Sequence, residues 1–188
     1  RRKHPKLRWA TALPPFFAVG DARAITRVWD GPVAPITDLR EVADAFGSAL
    51  PVLTVEDGGE IVPGQPDADG ARCALHSLEL AVGLARSGAA AALVTGPVSK
   101  AQLYGIGFSH PGQTEFVAER FGVSRDNSVM MLAGPSLRVV PMTTHVPLAQ
   151  VSLCCSPKLA SERCAFLTVR RLTVQIRQDI RSVRTRLA

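Results

Sequence analysis

Between Ala92 and Leu148 the chain reads ALVTGPVSK (92–100), HPGQTEFVAERFGV (110–123), VMMLAG (129–134) and LRVVPMTTHVPL (137–148). Apolar runs here lead into loops that carry polar groups. Thr95-Gly96-Pro97 stands with Lys100, Gln113-Thr114-Glu115 opens a helical pattern, and Thr143-Thr144-His145 closes a strand-like run. In open α/β sheets, ligands bind outside the carboxyl ends of the strands. A fold of that class would use these groups where the sequence puts them.

Working outward, the preceding segment Ala71–Arg86 has the most regular pattern in the chain. Leu75, Leu78, Ala81, Val82 and Ala85 recur at intervals of three and four, which predicts an amphipathic helix lying on a sheet. Asp67 or Asp69 is placed to cap it and Gly88 to stop it. The small apolar run Ala90–Val94 reads as a central parallel strand. Upstream, Phe16–Val19 between Pro14-Pro15 and Gly20-Asp21 reads as a buried strand. DARAITRVW (21–29) gives one or two helical turns, Val33–Ile36 and Pro51–Val55 give strands, and LREVADAFGSAL (39–50) a weaker helix. Downstream, Thr114–Arg120 is a helix stopped by Gly122. Val129–Leu132 and Leu137–Met142 are strands whose short connection favours antiparallel pairing. The sum is an α/β fold, a mixed sheet flanked by helices in a partial α/β/α sandwich.

After Val151 the texture changes. SLCCSPKLASERCAF (152–166) shows no strand or helix period, while Leu172, Ile176, Ile180 and Val183 could share one face of a terminal helix. The chain therefore divides into an α/β region, 1–151, and a divergent basic tail, 152–188. A length of 188 residues with 46% hydrophobic content is ample for a core. No apolar run approaches the roughly 18 residues of a membrane span, and no signal-peptide pattern opens the chain. The net charge of +6 invites a nucleic-acid reading. Its distribution opposes one: residues 1–151 hold 14 Lys/Arg against 14 Asp/Glu, so the excess lies wholly in the tail. Four cysteines without zinc-type spacing make neither a disulfide framework nor a metal knuckle, which fits a reducing cytoplasm.

Taken singly, the polar groups are ambiguous. His145 has a nitrogen suited to borderline divalent ions, but taken alone it reads more readily as a histidine hydrogen-bonded at a turn. A metal site needs more ligands, and His4, His76 and His110 are the other histidines. Gln113 and Thr114 could meet a phosphate or carboxylate at a helix N-terminus, or simply start a helix with Thr114 as its cap. Lys100 could neutralise a phosphate or stand solvated at the surface. Neither GxxxxGK[ST] nor GxGxxG is present.

Together, TGPVSK, PGQTEFVAERFGV, VMMLAG and TTHVPL, with LPPFFAVGD (13–21) and PGQPDADGA (63–71), resemble the 4-hydroxythreonine-4-phosphate dehydrogenase (PdxA) family of vitamin B6 synthesis. The resemblance covers about residues 9–151, where four motifs occur in order. It implies an isocitrate/isopropylmalate dehydrogenase-like fold in a cytoplasmic homodimer with no membrane or nucleic-acid partner. It implies NAD-dependent oxidation of a phosphorylated amino alcohol, 4-phosphooxy-L-threonine, to a keto acid that decarboxylates to 3-amino-2-oxopropyl phosphate. It makes His145 a ligand of a divalent metal (zinc, magnesium or cobalt) and puts Gln113 and Thr114 at the substrate. The family often has histidine where Gln113 stands; glutamine keeps donor and acceptor but cannot become cationic. Measured against the family, the chain reads as truncated at both ends, with a divergent or frameshifted tail. It lacks two metal histidines and most of the NAD site, so neither cofactor should be held tightly and the chain alone should be inactive. The alternatives are a non-enzymatic remnant or a protein whose basic tail binds nucleic acid.

Overall fold

A computed structural model describes residues 13–55, 60, 62, 64–124, 128–143 and 146–161. The chain falls into two compact units, one of Arg1–Ala90 with Thr95–Ser109 and one of Ala91–Val94 with His110–Ala188.

The first unit is built on three parallel strands: β1 (Ala18–Gly20), β2 (Val33–Ile36) and β3 (Leu50–Thr54). Their order is β1-β3-β2, so β3 is central, with Ala18 opposite Val52 on one side and Pro35 opposite Val52 on the other. Pro35 is tolerated because β2 is an edge strand, where a missing N–H costs no ladder bond. Val52 is fully buried at the middle of the sheet. Helix α1 (Ala22–Val28) follows β1 and packs on β2 and β3, and α2 (Val42–Phe46) packs on β3. The crossover from β1 to β2 runs over β3, and the next returns to it. Val33–Ile36 matches its predicted strand residue for residue, while the strands read over Phe16–Val19 and Pro51–Val55 fall at Ala18–Gly20 and Leu50–Thr54.

Helix α3 (Ala68–Arg86) is the longest described element and packs on β1. Asp67 caps it, accepting from the Gly70 N–H at 2.7 Å, and Asp69 lies in its first turn. Its buried residues are Ala71, Cys73, Leu78 and Val82, so the expected stripe holds at Leu78 and Val82 while Leu75 is only half-buried. The Ala90 N–H returns to the Leu84 carbonyl across Gly88, which has φ +79°. That left-handed conformation is one a side chain resists, which is why the helix stops there. Helix α4 (Lys100–Gly105) packs against α3 through this unit.

The second unit holds α5 (Gln113–Arg120), a two-stranded antiparallel ribbon of β4 (Leu132–Ala133) and β5 (Arg138–Val139), and α6 (Leu148–Cys154). Gly134 N–H to Leu137 C=O, at 2.7 Å, closes the ribbon's turn. Three expectations are corrected. Residues 90–94 form no strand, and Val94 is 70% exposed. An apolar run supplies a tendency to bury, but a strand also needs a ladder partner, and among the described residues none pairs with this one. Second, the ribbon is shorter than predicted and belongs to its own sheet, so among the described residues parallel and antiparallel pairing are not mixed in one sheet. The tight turn dictates the local pairing; joining a second sheet depends on long-range contacts. Third, α6 reaches Cys154, and a further helical turn over 157–161 is opened by Ser156, whose Oγ accepts from Leu159 N–H at 3.1 Å. A serine cap compensates there for the missing apolar period. The helix read over residues 172–183 lies outside the described residues.

Candidate functional site

Two places hold convergent polar groups. The first is a cavity of about 710 Å³ at the carboxyl ends of the three parallel strands. Its walls include Asp21, Arg23, Ile36, Thr37, Leu53 and Thr54. This is where an open α/β sheet gathers ligands. Asp21 is buried because it caps α1 from the end of β1. It accepts from Arg23 N–H at 2.7 Å, and Arg23 Nη2 reaches its second oxygen at 2.8 Å. The Arg23 side-chain hydrogen bond, foremost, holds the Asp21 carboxyl below the ordinary carboxylate value despite burial. Thr37 is also engaged, its hydroxyl donating to Glu41 Oε1 at 3.2 Å. Glu41 closes a capping box with Asp38, and the Asp38 and Thr37 N–H groups hold its carboxyl low. The rim is thus polar but internally paired.

The second place is the start of α5. Gly112 is its N-cap, with extended backbone and no side-chain cap, so Thr114 does not cap the helix. Gln113 and Thr114 occupy the first two helical positions and are half-buried. The first intrahelical bond is Phe116 N–H to Gly112 C=O at 3.2 Å. The amides of residues 113–115 precede the first intrahelical bond, at the helix end where the dipole favours an anion. Behind them, Phe116, Val117 and Ala118 are buried. His110 precedes the helix, and its Nε2 lies 2.9 Å from Glu119 Oε2. Its ring meets Phe116 edge-on at 5.2 Å, and the Arg120 guanidinium lies 4.4 Å from the Phe116 ring centre. Sequence reasoning weighed His110 only as a metal ligand. The nine-residue separation from Glu119 is no local period, so nothing in the pattern marks the pair.

Of the other candidates, Lys100 is exposed at the start of α4, and the Thr95 hydroxyl is buried with no hydrogen-bond partner among the described residues. His145 lies outside the described residues. Among those that are described, no three His, Cys, Asp or Glu side chains converge to hold a metal, and no helix is long and apolar enough to cross a membrane.

With fold and geometry in view, the chain can be set beside known proteins. The sequence profile of the pyridoxal phosphate biosynthetic protein PdxA matches residues 13–186, reaching past Val151. The chain is similar to 4-hydroxythreonine-4-phosphate dehydrogenase of Zymomonas mobilis, 50% identical over 151 residues, which are 80% of this chain and 45% of that protein. The counterpart in Erythrobacter litoralis is 45% identical over 163 residues, 84% of this chain and 48% of its own. Among solved structures, a 4-hydroxythreonine-4-phosphate dehydrogenase from Burkholderia phymatum aligns with TM-score 0.70 and 26% identity over 83% of this chain and 48% of that one. One from Klebsiella pneumoniae gives 0.69 at 24% identity over 79% and 46%, and shows the α/β fold alone. The chain belongs to the PdxA family. It spans about half the length of the curated relatives it matches.

Proposed function

We propose that this chain is part of an NAD-dependent 4-hydroxythreonine-4-phosphate dehydrogenase. The whole protein would oxidise 4-phosphooxy-L-threonine to a β-keto acid that loses carbon dioxide to give 3-amino-2-oxopropyl phosphate. The observation that supports this best is the family match over residues 13–186, with Gln113 and Thr114 at the opening of α5. The same reading gives the fold the isocitrate/isopropylmalate dehydrogenase-like subtype. It makes the whole protein a cytoplasmic homodimer and His145 a ligand of its divalent metal.

In this reading α5 is the substrate-side wall. The positive end of its dipole favours the substrate's phosphate or carboxylate. The Thr114 hydroxyl donates to an anionic oxygen, and the Gln113 amide donates and accepts, fixing orientation without carrying charge. Glutamine cannot take the alcohol proton, so proton removal falls to another group. Among the described residues no metal-binding trio converges, and the buried Asp21 carboxylate of the cavity already accepts from Arg23 at both oxygens.

The test exchanges residues 92–148 into the Zymomonas mobilis enzyme and follows NADH formation from 4-phosphooxy-L-threonine. The chimaera should retain activity within about tenfold, since a positioning change of that size is about 1.4 kcal/mol of barrier. A chimaera that folds, by circular dichroism, yet forms no NADH would overturn the proposal. The 188-residue chain alone should not reach an ordinary enzyme rate of about 1 per second.

A further inference from the structure

Deepening the reading that Gln113 and Thr114 meet substrate, we infer that His110 is a positioning residue that fixes how they are presented. The loop His110-Pro111-Gly112 leads into the start of α5, and Gly112, its last residue, offers no side chain to anchor it. The anchor comes from His110. Its Nε2 bonds Glu119 Oε2 at 2.9 Å, two turns along the helix, and its ring lies edge-on to Phe116 at 5.2 Å and 80°. Phe116 is itself 1% exposed, and Arg120 covers its ring while bonding Glu119 Oε1 at 3.2 Å. The histidine is thus held against a rigid buried aromatic and a carboxylate whose other oxygen is also bound. The loop is folded back along its own helix, which sets the direction in which the backbone enters at Gln113. A glycine N-cap would otherwise leave that direction loosely determined. Removing the ring should therefore disturb residues 112–115 more than it disturbs the fold.

The experiment uses the full 188-residue chain and four variants: His110→Ala, His110→Gln, Gln113→Ala and Thr114→Val. Two-dimensional amide spectra report residues 112–115, and titration with 4-phosphooxy-L-threonine reports affinity. His110→Ala should move or broaden those four amides. It should weaken binding roughly three- to fivefold, the size expected on losing one partly exposed ionic hydrogen bond. Its Tm should fall by no more than about 5 °C. His110→Gln keeps an N–H that can reach Glu119 and should restore amide positions and affinity, which a merely space-filling role would not do. Amides 112–115 left unmoved by His110→Ala would overturn the inference, as would failure of His110→Gln to restore them. If the chain shows no specific affinity for the substrate, or if Gln113→Ala and Thr114→Val bind it as tightly as the parent chain, the substrate reading fails by itself. The amide spectra still decide whether His110 sets the helix entry.

Discussion

Asp21 joins the end of β1 to the start of α1, and replacing it by alanine tests how that junction is held. The carboxylate is 6% exposed and accepts Arg23 N–H at 2.7 Å and Arg23 Nη2 at 2.8 Å. Loss of an N-cap acceptor costs about 1 kcal/mol, at the upper end 2. The ion pair adds little, about 0.2–1 kcal/mol, because such pairs are screened when one partner is in solvent, and Arg23 is 68% exposed. Asp21→Ala should therefore lose about 2 kcal/mol. Asp21→Asn keeps a capping oxygen but turns an amide toward the guanidinium, and should lose about half as much. Urea unfolding followed by tryptophan fluorescence reads this out, because Trp29 closes α1, the helix that Asp21 opens. The folded carboxyl titrates below its ordinary value of 3.8, chiefly through the Arg23 hydrogen bond. Its charge-dependent stability is present above the unfolded value and is lost as pH falls through the folded one. The gap between the native chain and Asp21→Asn should be constant above about pH 5 and close below the ordinary carboxylate range. A loss under about 0.5 kcal/mol in Asp21→Ala, or a gap that widens on acidification, would refute this account of the junction.

Two further outcomes are expected. Val52→Ala, at the fully buried centre of β3, should cost about 2–3 kcal/mol in the same urea assay, since a cavity opens between two flanking strands; a loss below about 1 kcal/mol would mean that the strand ends relax to fill it. Zinc titrated calorimetrically into the chain should show no site tighter than about micromolar, because tight zinc wants three or four protein ligands; a tighter site abolished by His145→Ala would show that further ligands complete one.

Local chemistry was enough for much of this protein. The Asp67 cap, the Gly88 stop and the strand at Val33–Ile36 are each specified by residues within one or two turns of themselves. Those features depend on short-range hydrogen bonds and backbone dihedrals, which a sequence carries explicitly. The family also was legible, because several spaced motifs had to occur together. What the tertiary structure decided was everything that needs a distant partner. Residues 90–94 have a strand's composition, yet they stay unpaired among the described residues because a ladder is a property of two segments. The order β1-β3-β2 and the cavity at its carboxyl ends come from crossovers, not from any one strand. His110 meets Glu119 only because a loop turns back on the helix that follows it. A side chain's type limits the bonds it can make, but which bond it makes is settled by the folded path that brings a partner within about 3 Å.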